Sequence, residues 1–114
     1  MWLVIDCADT KSGGTFIGMR CYLDDLCYDK IEIGKTVTIS YGVYFACHGR
    51  KQGHNKIVIE EGAYIGMRTS IIAPKDITIG AGAIVGAASL VNRSVGKGDI
   101  VAGVPAKPLH KYDM

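Results

Sequence analysis

A parallel β-helix is the fold class this sequence predicts, and two regularities predict it. Large apolar residues recur six places apart: Ile17 and Leu23; Ile33, Ile39 and Phe45; Ile59, Ile65 and Ile71; Ile79, Val85 and Val91. Glycine often follows directly (Gly18, Gly34, Gly66, Gly80, Gly86). Four places after the apolar residue a small or β-branched side chain is common (Val37, Val43, Ala63, Thr69, Ala83, Ser89). A period of six fits neither the 3.6 of a helix nor the simple alternation of an ordinary strand. It is the period of a coil in which each wall is one six-residue strand and turn. Three walls take about 18 residues, so an all-β column of roughly four to five coils is expected.

The elements follow in order along one domain, residues 1–114. Residues 1–15 read as an N-terminal cap. Their apolar start, Trp2 to Ile5, meets Asp6 at once and lacks the basic flank of a signal peptide, so it reads as a strand laid on the open first coil. The coils occupy residues 16–101, and the period breaks inside them. Ten residues separate Leu23 from Ile33, so Asp24 to Lys30 bulges at a turn; fourteen separate Phe45 from Ile59, with the surplus in His48 to Asn55. Eight separate Ile71 from Ile79, and Ala73 to Asp76 makes a wider corner. Insertions in a solenoid map to corners, where the chain bulges without disturbing the stack. Residues 102–114 form the tail, whose prolines, Pro105 and Pro108, are expected to prevent further regular structure; it should leave the column and lie along its side.

Composition narrows the function. A net charge of +2 with no run of basic residues argues against nucleic acid or a membrane surface as partner. No apolar stretch reaches 18 residues, so no membrane span is expected. The four cysteines (Cys7, Cys21, Cys27, Cys47) form no CxxC pair or metal-finger spacing and read as reduced thiols of a cytoplasmic protein. Only Cys47, beside His48, has in sequence the partner an activated thiol needs. A rod this thin is expected to gain stability by associating side by side. The loop at 48–55 is polar and holds two of the three histidines, His48 and His54, on an otherwise apolar wall. Protruding loops on rigid scaffolds are where chemistry is usually placed.

The stretches IVIEEGAYIGMRTSII and ITIGAGAIVGAASLVNRSVGKGDIVAGVPAKPL, and above all the ending AGVPAKPL, closely resemble the C-terminal coils of the hexapeptide-repeat acyltransferases. Within that family the maltose, galactoside and xenobiotic O-acetyltransferases are the most similar group. The resemblance covers roughly residues 16–109. It implies a left-handed coil, a homotrimer with active sites between subunits, acetyl-CoA as donor and a small hydroxylated, sugar-like acceptor. It also implies one histidine as general base, at the position of His48, with His54 the alternative; imidazole titrates close enough to neutrality to take the acceptor's proton. Asp24 or Asp25 would orient the base or hold the acceptor. For the donor, Ala87 matches a small residue lining the pantetheine channel, with Met67 above it on the previous coil. Asn92 and Arg93 match a polar–basic pair at the adenosine end, and Lys107 and His110 match two basic tail positions that meet the cofactor's phosphates.

Two other readings share the fold. A zinc enzyme of the γ-carbonic-anhydrase type would need three histidines converging from adjacent walls. Here His48 and His54 share one loop and His110 lies in the tail, so no metal is expected. A non-catalytic scaffold or assembly domain is the other alternative.

Overall fold

The computed structural model describes residues 14–23, 30–47 and 55–109. Among them run β1 (Phe16–Ile17), β2 (Tyr22–Leu23), β3 (Ile31–Ile33), β4 (Thr38–Ile39), β5 (Tyr44–Ala46), β6 (Ile57–Ile59) and β7 (Tyr64–Ile65). There follow β8 (Ser70–Ile72), β9 (Ile77–Ile79), β10 (Ile84–Val85), β11 (Leu90–Val91), β12 (Ile100–Ala102) and β13 (Lys107–Pro108). Every third strand returns to the same sheet. The first wall stacks β1, β4, β7, β10 and β12, the second β2, β5, β8 and β11, and the third β3, β6 and β9. All these pairings are parallel and in register, as in Ile39 beside Ile65 and Ile65 beside Val85. The result is the parallel β-helix expected from the period of six.

The period works because each strand turns one large residue inward. Ile17, Ile39, Ile65, Val85 and Val101 form the inner column of the first wall, and Ile59 and Ile79 stack in the third with Val95 bridged to Ile79. Phe45, Ile71 and Val91 do the same for the second. The small or β-branched set four places on fills the corners of the triangle: Val37, Val43, Ala63, Thr69, Ala83 and Ser89 are all buried. The hydroxyls among them are satisfied by the next coil or their own turn. Thr69 Oγ1 donates to Gly86 O at 3.1 Å, and Ser89 Oγ donates to the same oxygen at 2.7 Å. A buried hydroxyl left unbonded would cost on the order of 1–3 kcal/mol.

Two of the three corners are tight turns in which one residue takes a positive φ. Between the third and first walls that residue is Thr36, Gly62, Gly82 or Gly98; between the first and second it is Arg20, Gly42, Arg68 or Ala88. Each turn is tied to its neighbour by one backbone bond, for example Arg68 N–H to Tyr41 O and Ala88 N–H to Met67 O, both at 2.8 Å. The corner between the second and third walls is different. Every period break falls there: residues 24–29 between β2 and β3, residues 48–54 between β5 and β6, and Pro74–Lys75 between β8 and β9.

The tail departs from the sequence expectation. It does lie along the column, with Ala106 N–H on Leu90 O at 2.7 Å, but it also forms a strand. β13 pairs antiparallel with β12, setting Pro108 opposite Val101 and Lys107 opposite Ala102. Proline tolerates this place because β13 is an edge, where its missing N–H breaks no ladder bond. The proposed capping strand at Trp2–Ile5 lies outside the described residues.

Candidate functional site

The corner between the first and second walls presents a column of exposed side chains, one turn per coil: Met19–Arg20, Tyr41–Gly42, Met67–Arg68, Ala87–Ala88. The left-handed conformation costs a residue with a Cβ roughly 1–2 kcal/mol. Gly42 avoids that cost, whereas Arg20, Arg68 and Ala88 bear it with φ of 60°, 57° and 58°. The Arg68 guanidinium lies over the Tyr41 ring, 5.6 Å from its centroid. Side-chain bulk falls along the column, from Met67 to Ala87. Gly66 lets the two coils close up beneath that step: a Cβ there would stand 2.6 Å from Ala87 N. Met67 and Ala87 thus form adjacent steps of one ledge, bulky below and flat above.

Beyond Ala87 the chain passes through β11 to the next corner, at the C-terminal end of the column. Asn92 follows β11, and its Oδ1 is buried without a hydrogen-bond partner among the described residues. Arg93 borders a partly open cavity of about 150 Å³ against the tail, shared with Val91, Val95, Asp99, Ala106 and Pro108. Lys107, next to Pro108, is exposed on β13. That end therefore carries an unsatisfied acceptor and two cations. The third wall has a broader, open cleft of about 580 Å³ bordered by Glu32, Glu60, Glu61 and Lys97. Its charges are spoken for in part: Glu60 Oε1 accepts from Ala81 N–H at 3.2 Å, and Glu32 pairs with Lys56 at 2.6 Å. That pairing raises the Lys56 pKa.

The likeness to known proteins follows the same coils. No protein-family model matches the chain. A bifunctional protein GlmU of Rubrobacter xylanophilus is 37% identical over 94 residues, 82% of this chain and 19% of that protein. A serine acetyltransferase of Bacillus licheniformis is 32% identical over 98 residues, 82% of this chain and 44% of that one. The crystal structure of a hexapeptide-repeat acetyltransferase from Vibrio cholerae superposes with a TM-score of 0.76 at 31% identity, covering 87% of this chain and 60% of that one. The chain shares the coils of these hexapeptide-repeat acetyltransferases. Its coil is the left-handed parallel β-helix of these proteins. It spans less than half the length of the curated relatives described here.

This hexapeptide-repeat chain places its sequence-predicted site residues unevenly. Met67 and Ala87 stand on adjacent turns of one corner, whereas Asn92 and Arg93 follow β11 at the next corner and Lys107 lies on β13. His48, His54, Asp24, Asp25 and His110 lie outside the described residues. What flanks residues 48–54 is closed at the base: Asn55 N–H donates to Cys47 O at 2.6 Å, and Asn55 Nδ2 to Ala73 O at 2.7 Å. Cys47 and Cys21 are buried, as their small-residue wall positions imply. Burial pushes the Cys21 pKa up, so it stays protonated at neutral pH. Among the described residues no group of three His, Cys, Asp or Glu side chains could hold a metal, and no helix is long and apolar enough to cross a membrane. Sequence reading missed the aromatic side of the second wall, where Tyr22 and Tyr44 stack with centroids 4.8 Å apart and planes at 17°. The six-residue register that identified the fold also carries that signal, because it sets these tyrosines one coil apart.

Proposed function

We propose that the chain is a CoA-dependent acetyltransferase that moves acetyl from acetyl-CoA to a hydroxyl of a small, sugar-like acceptor. The observation that carries this reading is the ledge, a step from Met67 to the bare Ala87, together with an orphaned Asn92 Oδ1 and two cations toward the C-terminal end of the column. A thin pantetheine arm needs a surface with little side-chain relief. Phosphates need cations at one end, and Arg93 and Lys107 supply them, with His110 as a third candidate. The buried Asn92 oxygen could accept a hydrogen bond from a donor N–H along that arm. The likeness of AGVPAKPL to the maltose, galactoside and xenobiotic O-acetyltransferases supports a sugar hydroxyl as acceptor.

In this reading His48, or His54 in its place, takes the acceptor's proton as the hydroxyl oxygen attacks the thioester carbonyl. The tetrahedral intermediate then collapses, expelling the CoA thiolate, and the imidazolium returns the proton to sulfur. Asp24 or Asp25 would hold the imidazole or the acceptor. The enzyme works as a cytoplasmic homotrimer. Its thinness and the exposed apolar row of Phe16, Tyr64 and Ile84 on the first wall favour such an association. Transfer to the hydroxyl of serine is a second reading, favoured by the relative named serine acetyltransferase.

The test is thermal melting with saturating acetyl-CoA, compared with an Arg93→Ala, Lys107→Ala variant. Ligand at a hundred times its Kd stabilises by about 2.7 kcal/mol, a shift of several degrees. The variant should lose most of that shift; absence of any shift in the native chain overturns the reading. With an acceptor in hand, His48→Ala should lower kcat by about 10²–10⁴-fold and leave acetyl-CoA affinity nearly unchanged. Release of CoA thiol with L-serine and with methyl glycosides separates the two acceptors.

A further inference from the structure

The outward column of the second wall reads, coil by coil, Tyr22, Tyr44, Ser70, Leu90. Its first two members are stacked at 4.8 Å, the spacing of one coil. The third rung breaks the ladder, because a serine leaves the next face of the Tyr44 ring uncovered, and Tyr44 is 42% exposed. The fourth rung, Leu90, stands two coil spacings above Tyr44, or about 9.5 Å. One flat ring fits between them at the level of Ser70. Ile72, two residues along β8 from Ser70 and 38% exposed, borders the gap toward the third wall. The upper edge is fixed, since both backbone groups of Leu90 are bonded to the tail, N–H to Gly103 O at 2.9 Å and C=O from Ala106 N–H at 2.7 Å. The Ser70 hydroxyl makes no hydrogen bond among the described residues, so a polar group stands ready at the floor.

We infer that this missing rung is a binding site for a pyranose ring, whose apolar C–H face packs on Tyr44 while one ring hydroxyl bonds Ser70. An aromatic ring face and a few convergent polar groups are the usual make-up of a small-molecule site. Its location fits the acceptor: Ser70 and Leu90 each lie three residues after Met67 and Ala87, so the slot runs beside the ledge proposed for the pantetheine arm. The inference rests on a sugar-like acceptor and makes Tyr44 and Ser70 its specificity-determining contacts.

Saturation-transfer NMR with methyl glucoside, methyl galactoside and methyl N-acetylglucosaminide tests it, each with and without acetyl-CoA. At least one glycoside should receive saturation on its ring C–H protons from the native chain. Tyr44→Ala should lose the signal. Ser70→Tyr should lose it too, because a third tyrosine completes the ladder and fills the slot; it should melt no lower than the native chain, which separates blockage from unfolding. No transfer to any of the three glycosides, or transfer that survives in Ser70→Tyr, overturns the inference. Loss of the acetyl-CoA melting shift in Ser70→Tyr also overturns it, by giving the slot to the donor. If the native chain lacks that shift while glycoside transfer persists, the acetyltransferase reading fails and the ring site stands.

Discussion

Two glycines with similar surroundings in sequence do different work, and one substitution in each separates them. Gly66 sits against the neighbouring coil, where a Cβ would meet Ala87 N at 2.6 Å and Ala87 Cα at 2.8 Å. Both are backbone atoms held in register, so neither can swing aside. Gly82 has open space around its missing Cβ but a φ of +69°. Gly66→Ala should cost about 2–3 kcal/mol, as an overpacked site does, and Gly82→Ala about 1 kcal/mol from backbone strain alone. Urea unfolding of the two variants checks the order. The sequence marks both as glycine, and the period says which follows an inward residue. It does not reveal which corner closes onto backbone, because that depends on the rise of one coil over the next. The tyrosine stack is obscured in another way: Tyr22 and Tyr44 are twenty-two places apart in sequence, because the insertion before β3 lengthens the coil that the pairing of Leu23 with Phe45 closes.

Among the elements, the corners differ in what they tolerate. A turn such as Met67–Arg68 is tied by Arg68 N–H to Tyr41 O below and by its own carbonyl, Met67 O, to Ala88 N–H above. An added residue there would break both steps and shift β8 by one place, turning Ile71 outward and Ser70 and Ile72 inward. At Pro74–Lys75 the coil is anchored on either side, by Ala73 N–H on Ala46 O and Ile77 N–H on Lys56 O, both at 2.9 Å, while the turn between is exposed. Two residues inserted after Pro74 should leave the melting temperature within a couple of degrees. The same pair inserted after Met67 should lower it by ten or more, the equivalent of about 2 kcal/mol or above. The strand pattern of the coils was legible because inward residues from Ile33 to Val91 keep the six-residue spacing on both sides of two corner insertions. The tail was not: prolines announce an end to the ladder, and the strand at Lys107–Pro108 arises only because β12 offers a bare edge.

For the whole molecule, the column is held by stacked neighbours, and its outer faces are unequal. The first wall carries Phe16, Tyr64 and Ile84 outward, whereas the third carries Glu32, Val58 and Thr78. If three copies meet through the first wall, sedimentation should give about three times the 12.2 kDa chain mass. Tyr64→Glu should return a single chain, because a carboxylate desolvated in an apolar contact is costly. A native chain that sediments as a monomer removes the trimer from the proposal. The fold at this scale was plain from composition and period together. Of the positions proposed for the donor, Met67 and Ala87 lie on regular coils, Asn92 and Arg93 where the repeat stops, and Lys107 in the tail. Those proposed for the base and its orienting carboxylate, His48, His54, Asp24 and Asp25, fall where the repeat that guided the reading is suspended.

That suspension always occurs at the same edge. Two edges of the triangular prism are locked by backbone bonds at every storey, so their geometry is inherited from the storey beneath. Among the described residues the third edge is bonded on either side of its turns, and its outline can be redrawn at one level without the others being informed. A lineage of such chains could change what it recognises by altering the length of that margin alone, with the column of isoleucines and valines carried through untouched.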